Sequence, residues 1–406
     1  MAGVLYITYD GLLDPLGASQ ILPYLKGIAS GQRGAVVLSF EKNERQAKDG
    51  AAMAAALKHH DIQWKPLRFT AGKGVAGKVW DLLKMYLWGY RLAVRHGVRV
   101  VHTRGHPAAQ IGVFIKRLTG AQLIFDFRGL WVDERVDKGG WDLKRAHHRW
   151  QYRHFKRTER KLLASADQLV VLTEAVVPEV RRLGAAPSAG VTVIPCCADF
   201  EHFPLANSQS RSQAREDLGI PQHARVLGYL GSVGRMYMLD RLFRLFELAA
   251  ADSNDSHLLV VTQDIAALNQ LMREWLPAAL HGRVHVRSAG RAQVPTIIPA
   301  MDVLVSFIQP SYARMAASPT KLAECFAAGI PVICNAGVGD VAEQVRLLGA
   351  GRVVDPSSDA ELSAAVAGLD DIVTMGGGRL RDAARKVLGL EVAAVRYQAV
   401  YAGLQD

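Results

Sequence analysis

Short runs of β-branched and other apolar residues alternate along the chain with longer stretches of helical periodicity, the signature of parallel β-α-β units. In the N-terminal half the runs predict strands at 4–8, 35–40, 99–103, 122–126, 168–172 and 191–194. Helices are predicted between them at 18–30, 77–96, 108–118, 143–164 and 174–183. The alternation pauses at 204–213, a polar stretch that reads as an interdomain linker without structure of its own. It then resumes with strands at 226–230, 258–262, 284–286, 303–307, 331–334 and 351–354. Helices are predicted at 236–250, 265–275, 296–301, 319–328 and 341–348, and one more at 391–404. The pattern predicts an α/β protein of two doubly wound, Rossmann-like domains. In such folds ligands bind beyond the carboxyl ends of the strands, and pairing two of them sets those ends across a cleft.

Composition narrows the class. The chain has 406 residues, enough for two domains, and half are hydrophobic, which excludes a disordered or low-complexity protein. No run of ~18 apolar residues predicts a spanning helix. The N-terminus lacks a basic region, so no signal peptide is expected. Four cysteines show no C-x-x-C spacing and read as buried thiols of a cytosolic protein.

The segment Ser318-Pro319-Thr320-Lys321-Leu322-Ala323-Glu324 is the most informative. Ser318 suits a helix cap and Pro319 the first helical position. The amides of Thr320 and Lys321 would then point outward at the positive end of the helix dipole. A lysine in the first turn is unfavourable unless an anion joins it. Glu324, one turn on, suits two vicinal ribose hydroxyls. Together these predict a nucleoside-diphosphate site; the alternative is an exposed helix start with a Lys–Glu pair. A second candidate is the turn Asp10–Gln20, where Gly11 and Gly17 allow close backbone approach before a helix, although turn duty explains both. A third is the turn Gly228–Arg235, containing Gly231, Ser232 and Arg235; Arg235 reaches a diphosphate or is a solvated loop arginine.

His102-Thr103-Arg104-Gly105-His106 closes one predicted strand and Asp126-Phe127-Arg128 the next, both at the end where functional groups gather. His102 is expected within the strand and His106 in the following loop, facing ligand. No third ligand supports a zinc pair, and no D-x-D at a strand end signals a metal. Asp133 and Glu134 face the ligand or serve as caps and ion pairs. Of the +11 net charge, most falls in the N-terminal half. Between Arg135 and Lys161 ten cations face three acids, with Trp141, Trp150, Tyr152 and Phe155 interleaved. Upstream, Lys73, Lys78, Lys84, Arg91 and Arg95 are mixed with Trp80, Tyr86, Trp88 and Tyr90. An anionic membrane or lipid phosphate suits these stretches, as does a solvated helix face over an aromatic core. No nucleic-acid-binding pattern is present.

Taken together, the glycine turn after the first strand, Arg104–Pro107, Phe125–Glu134, Gly228–Gly234 and Ser318–Ile333 resemble the GT-B-fold retaining glycosyltransferases of family 4, over nearly the whole length. Most members carry two glutamates eight positions apart in the donor site. Here the second matches Glu324 and the first falls on Ala316, similar to the subset with an SPTK-type helix. The resemblance implies an acceptor-binding domain at 1–204, a donor-binding domain at 205–390, and a helix at 391–406 returning to the first. It implies sugar transfer with retention, without a metal or cofactor, from a nucleotide sugar to a glycan or polyprenyl-diphosphate-linked acceptor in polysaccharide synthesis. The implied catalytic residues are His106, Arg104, Asp126 and Arg128. Those implied for the donor are Gly17, Gly231, Ser232, Arg235, Ser318, Pro319, Thr320, Lys321 and Glu324. The protein is expected in the cytoplasm, peripheral on an anionic membrane face. The competing expectations are a nucleotide-sugar epimerase on the same fold, and an inactive scaffold.

Overall fold

The computed structural model describes residues 3–30, 34–70 and 74–404; Lys73 lies outside them. It divides into two compact units, Met1–Pro195 with Leu390–Asp406, and Cys196–Gly389. The first holds β1 (Val4–Thr8), β2 (Ala35–Glu41), β3 (Ile62–Arg68), β4 (Val100–Arg104), β5 (Gln122–Asp126), β6 (Gln168–Val171) and β7 (Gly190–Val193) in the order β3-β2-β1-β4-β5-β6-β7. The second holds β8 (Arg225–Leu230), β9 (Ser256–Val261), β10 (Val284–Arg287), β11 (Val303–Ser306), β12 (Val332–Cys334) and β13 (Gly351–Val353) in the order β10-β9-β8-β11-β12-β13. Neighbouring strands pair in parallel, and helices cover the sheets. That is why β1 and β2 are buried at every position and read as unbroken apolar runs. Strand order reverses between β1 and β4, and between β8 and β11, which fixes where each sheet offers its ligand end.

Three local differences from the sequence expectation have physical causes. The strand β3 was not expected, because Pro66 sits inside it. As an edge strand it loses no ladder bond to the missing N–H. The expected linker is largely the helix Ser208–Leu218. Asn207 and Ser210 cap it reciprocally, and the fully buried Arg215 bonds Asp302 at 2.9 Å and the Ala224 carbonyl at 2.8 Å. A polar sequence thus folds around buried charge. The expected helix 18–30 is two helices, Pro15–Gln20 and Leu22–Ser30, parted at Ile21 just ahead of Pro23.

The boundary also differs. Residues 196–203 belong to the second unit, where Phe200 and Phe203 enter its core and Arg381 donates to both their carbonyls. The final helix, Leu390–Ala402, packs on Leu22–Ser30 and β7 in the first unit. There a Cβ on Gly27 would stand 2.8 Å from that of Ala394. All four cysteines are buried thiols outside any disulfide.

Candidate functional site

In the second unit, Thr320–Ala327 is a helix whose N-cap is Pro319 rather than Ser318. The Ser318 hydroxyl is turned away, accepting from the Cys196 amide at 3.0 Å. The first-turn amides of Thr320 and Lys321 lack intrahelical partners, as at any helix start. Lys321 folds its chain back so that Nζ is enclosed, with no hydrogen-bond partner. It lies 4.9 Å from the Tyr229 ring centre and 4.7 Å from that of Tyr237. Burial pushes this ammonium down to about 8. Two aromatic faces offset part of the desolvation cost, but a lysine carries three donors and here uses none in a hydrogen bond.

Gly231 lies beside it. A Cβ there would come within 3.4 Å of Lys321 Nζ, and its φ of +152° favours glycine. The Tyr229 hydroxyl is pinned by donating to the Ser232 carbonyl at 2.7 Å. Arg235 and the Ser232 side chain are exposed; Arg235 stands in a turn four residues before the helix that was expected at 236, which begins at Leu239. Glu324 is buried and takes Arg291, not Lys321, as its partner at 2.9 Å. Burial raises the Glu324 carboxyl above its ordinary value, against the Arg291 charge and hydrogen bond. Ala316, on a buried turn of 3-10 helix, brings no acid.

The turn after β1 answers to a different cause from the one expected. The Leu12 and Leu13 amides donate to Glu41 at 2.8 and 3.2 Å, so the anion this nest attracts is the chain's own carboxylate. Gly17 lies inside Pro15–Gln20, and a Cβ there would fall 1.9 Å from the Gly11 carbonyl. Close packing accounts for both glycines.

In the first unit, Arg104 and Asp126 are register partners at the ends of β4 and β5 and are both buried. Asp126 has Arg104 at 3.5 Å, Arg128 at 3.4 Å and the Tyr397 hydroxyl at 3.1 Å. Arg104 Nε and Nη1 have no hydrogen-bond partner. His102 Nδ1 meets the Tyr401 hydroxyl at 2.6 Å, and burial holds this imidazole down to about 4, hence neutral. His106 has other company. It belongs to the helix Gly105–Thr119, not to a loop, and is itself buried. Its Nε2 lies 2.9 Å from Glu159, and its ring stacks on Trp131 at 5.8 Å. Burial works to raise the Glu159 carboxyl, but the His106 hydrogen bond and Lys156 outweigh it and hold it below its ordinary value. Lys156 also bonds Asp133 at 2.8 Å, and Glu134 pairs with Lys138. Asp133 and Glu134 are therefore ion-paired.

Two family descriptions match the chain, "Glycosyl transferase 4-like domain" over residues 29–197 and "Glycosyl transferases group 1" over residues 210–371. The chain belongs to the GT-B glycosyltransferases of family 4. The chain is similar to the D-inositol 3-phosphate glycosyltransferase of Corynebacterium urealyticum, 33% identical over 19% of this chain and 18% of that protein. It is similar to the same enzyme of Thermobispora bispora, 28% identical over 60% of this chain and 57% of that one. The likeness thus spans less than two thirds of either relative. Among solved structures it resembles Anabaena HepE in complex with UDP and glucose, with TM-score 0.72, 14% identity and coverage of 99% and 100% of the two chains. It also resembles the sucrose-phosphate synthase of Thermosynechococcus elongatus, with TM-score 0.67, 17% identity and coverage of 99% and 98%. At such identities the likeness is one of fold.

In this family member the sequence pointed to Lys321, Glu324 and Gly231, and the structure brings Lys321 and Gly231 together. It did not point to Tyr237, Arg291, Glu159 or Tyr397. Glu159 alone left a trace, as an acid in a strongly basic helix.

Proposed function

We propose that the protein transfers a sugar from a nucleoside-diphosphate donor to a glycan or polyprenyl-diphosphate-linked acceptor, with retention and without a metal, in the assembly of a polysaccharide. One observation carries the reading: the enclosed Lys321 ammonium, unpaired beside Gly231 at the start of a helix. A diphosphate supplies the counter-charge it lacks and draws on the same helix start through the Thr320 and Lys321 amides. As the sugar–phosphate bond breaks, its electron pair leaves with the diphosphate, where Lys321 stabilises the growing charge in the role a metal ion plays elsewhere. The acceptor oxygen bonds to the anomeric carbon and its proton passes to the departing diphosphate. Glu324, held by Arg291, is assigned to the ribose hydroxyls. Gly231, Ser232 and Arg235 complete the donor set; Gly17 is left out, since packing explains it.

On the acceptor side, Glu159 fixes the His106 ring through Nε2 and leaves Nδ1 for a sugar hydroxyl. Arg104, Asp126 and Arg128 form the other polar group of that unit. The test is calorimetry with UDP, GDP and their sugars, followed by product analysis with and without acceptor. Micromolar binding that is lost in Lys321→Ala supports the reading. Inverted stereochemistry of free donor without acceptor would make the protein an epimerase, and no nucleotide affinity at all would make it a scaffold.

A further inference from the structure

The helix Gly74–His96 is apolar on the side that faces solvent. Val75, Val79, Trp80, Leu83, Leu87 and Val94 are all exposed, Val75 to 77% and Leu87 to 65%. At 100° per residue these positions fall within an arc of roughly 140°, a continuous stripe about 28 Å long. The opposite face is already in use: Met85 and Leu92 are in the core, and a Cβ on Gly89 would stand 3.0 Å from Ile111. The stripe continues sideways, because Tyr90 and Tyr86 touch the exposed Phe114 of the neighbouring helix Gly105–Thr119, with ring centres 6.1 and 5.2 Å apart. An apolar surface of this extent is a docking face.

Charge identifies what docks. The helix has one acid, Asp81, and it is turned inward onto Thr70 and Lys84. Outward it shows Lys78, Arg91 and Arg95, and the adjoining helix adds Arg117. The helix Ala146–Ser165, packed next in series, exposes Arg149, Arg153 and Arg157 around a Trp150 that is 67% exposed. A second copy meeting this face about a twofold axis would set these cations against themselves. No helix among the described residues is long and apolar enough to cross a membrane. A sheet of anionic headgroups over acyl chains satisfies both the stripe and its flanks, with Trp80 and Tyr90 suited to the boundary.

We propose that the stripe of Gly74–His96 lies flat on an anionic lipid bilayer. This rests on the reading of a lipid-linked acceptor, yet it is tested without donor, acceptor or turnover. The full-length protein is sedimented with phosphatidylglycerol vesicles and with phosphatidylcholine vesicles, beside the double variant Leu83→Glu, Leu87→Glu and the charge variant Lys78→Ala, Arg91→Ala. The wild type should partition at least tenfold better onto phosphatidylglycerol. The double glutamate variant should lose at least tenfold with an unchanged circular dichroism spectrum and melting curve. The charge variant should lose several-fold, and its residual binding should be less sensitive to salt. Equal partition of wild type and double glutamate variant overturns the proposal, as does wild type that ignores both vesicles. A wild-type dimer in solution that the glutamates dissociate would instead make a second copy the occupant.

Discussion

At the scale of single residues, Lys321 is the sharpest case. Its folded value near 8 lies below the ordinary 10.5, so between those pH values the unfolded chain binds more protons than the folded one. Stability from this group therefore rises with pH across that window, by up to ~3 kcal/mol at ~1.4 kcal/mol per unit. Lys321→Met should abolish that rise and leave the protein as stable as wild type or more so at pH 7, because an unpaired buried charge has gone; denaturant titrations at pH 7 and pH 9.5 check both. If a diphosphate binds the ammonium, affinity should weaken above pH 8 and binding there should take up a proton. Calorimetry in buffers of different ionisation enthalpy reads that uptake directly. Gly17 calls for the reverse experiment. Gly17→Ala puts a methyl group against the Gly11 carbonyl and should cost about 1–3 kcal/mol in a melting experiment.

At the scale of elements, the sequence was most legible where burial is complete. Strands covered on both faces announce themselves as apolar runs, and all but β3 were placed within two residues. It was least legible where charge is buried. Arg215, two residues past the supposed linker, and Glu159 in the basic helix look like solvated residues until their partners arrive from distant segments, Asp302 and His106. The same limit applied to the helix Thr320–Ala327: Lys321 was readable from position alone, while its tyrosine walls and the Arg291 that claims Glu324 are long-range contacts. Glu159 shows what such contacts are worth. Glu159→Ala strips His106 Nε2 and Lys156 of a shared buried partner and should destabilise the first unit by ~3–5 kcal/mol. Because its folded value is depressed, the stabilisation it gives is full above the ordinary carboxylate value and is lost as pH falls through the folded one. The acid limb of the wild-type stability curve should therefore be steeper than that of Glu159→Gln.

At the scale of the whole molecule, chain order and unit membership diverge. The first unit is interrupted after Pro195 and resumes at Leu390, so the second unit is one continuous segment while the first is completed by the last helix. That helix is more than a cover. It buries Ala393, Tyr397, Val400 and Tyr401, and its two hydroxyls reach Asp126 at the end of β5 and the Nδ1 of a neutral His102 in the middle of β4. The carboxylate proposed for the acceptor side, Asp126, thus accepts a hydrogen bond from a residue found at the far end of the sequence. Ending the chain at Gly389 should expose apolar surface worth on the order of 5 kcal/mol and leave Asp126 and His102 without those hydroxyls. Hydrogen exchange should then lose protection in β1, β4 and β5 while β8, β9 and β11 keep theirs, since every strand of the second sheet lies within 196–389. An equal loss in both sheets would mean that the second unit, too, depends on the final helix. Tyr401→Phe separates packing from hydrogen bonding. It keeps the ring, removes the oxygen 2.6 Å from His102, and should weaken the same three strands by a smaller amount while the helix stays docked.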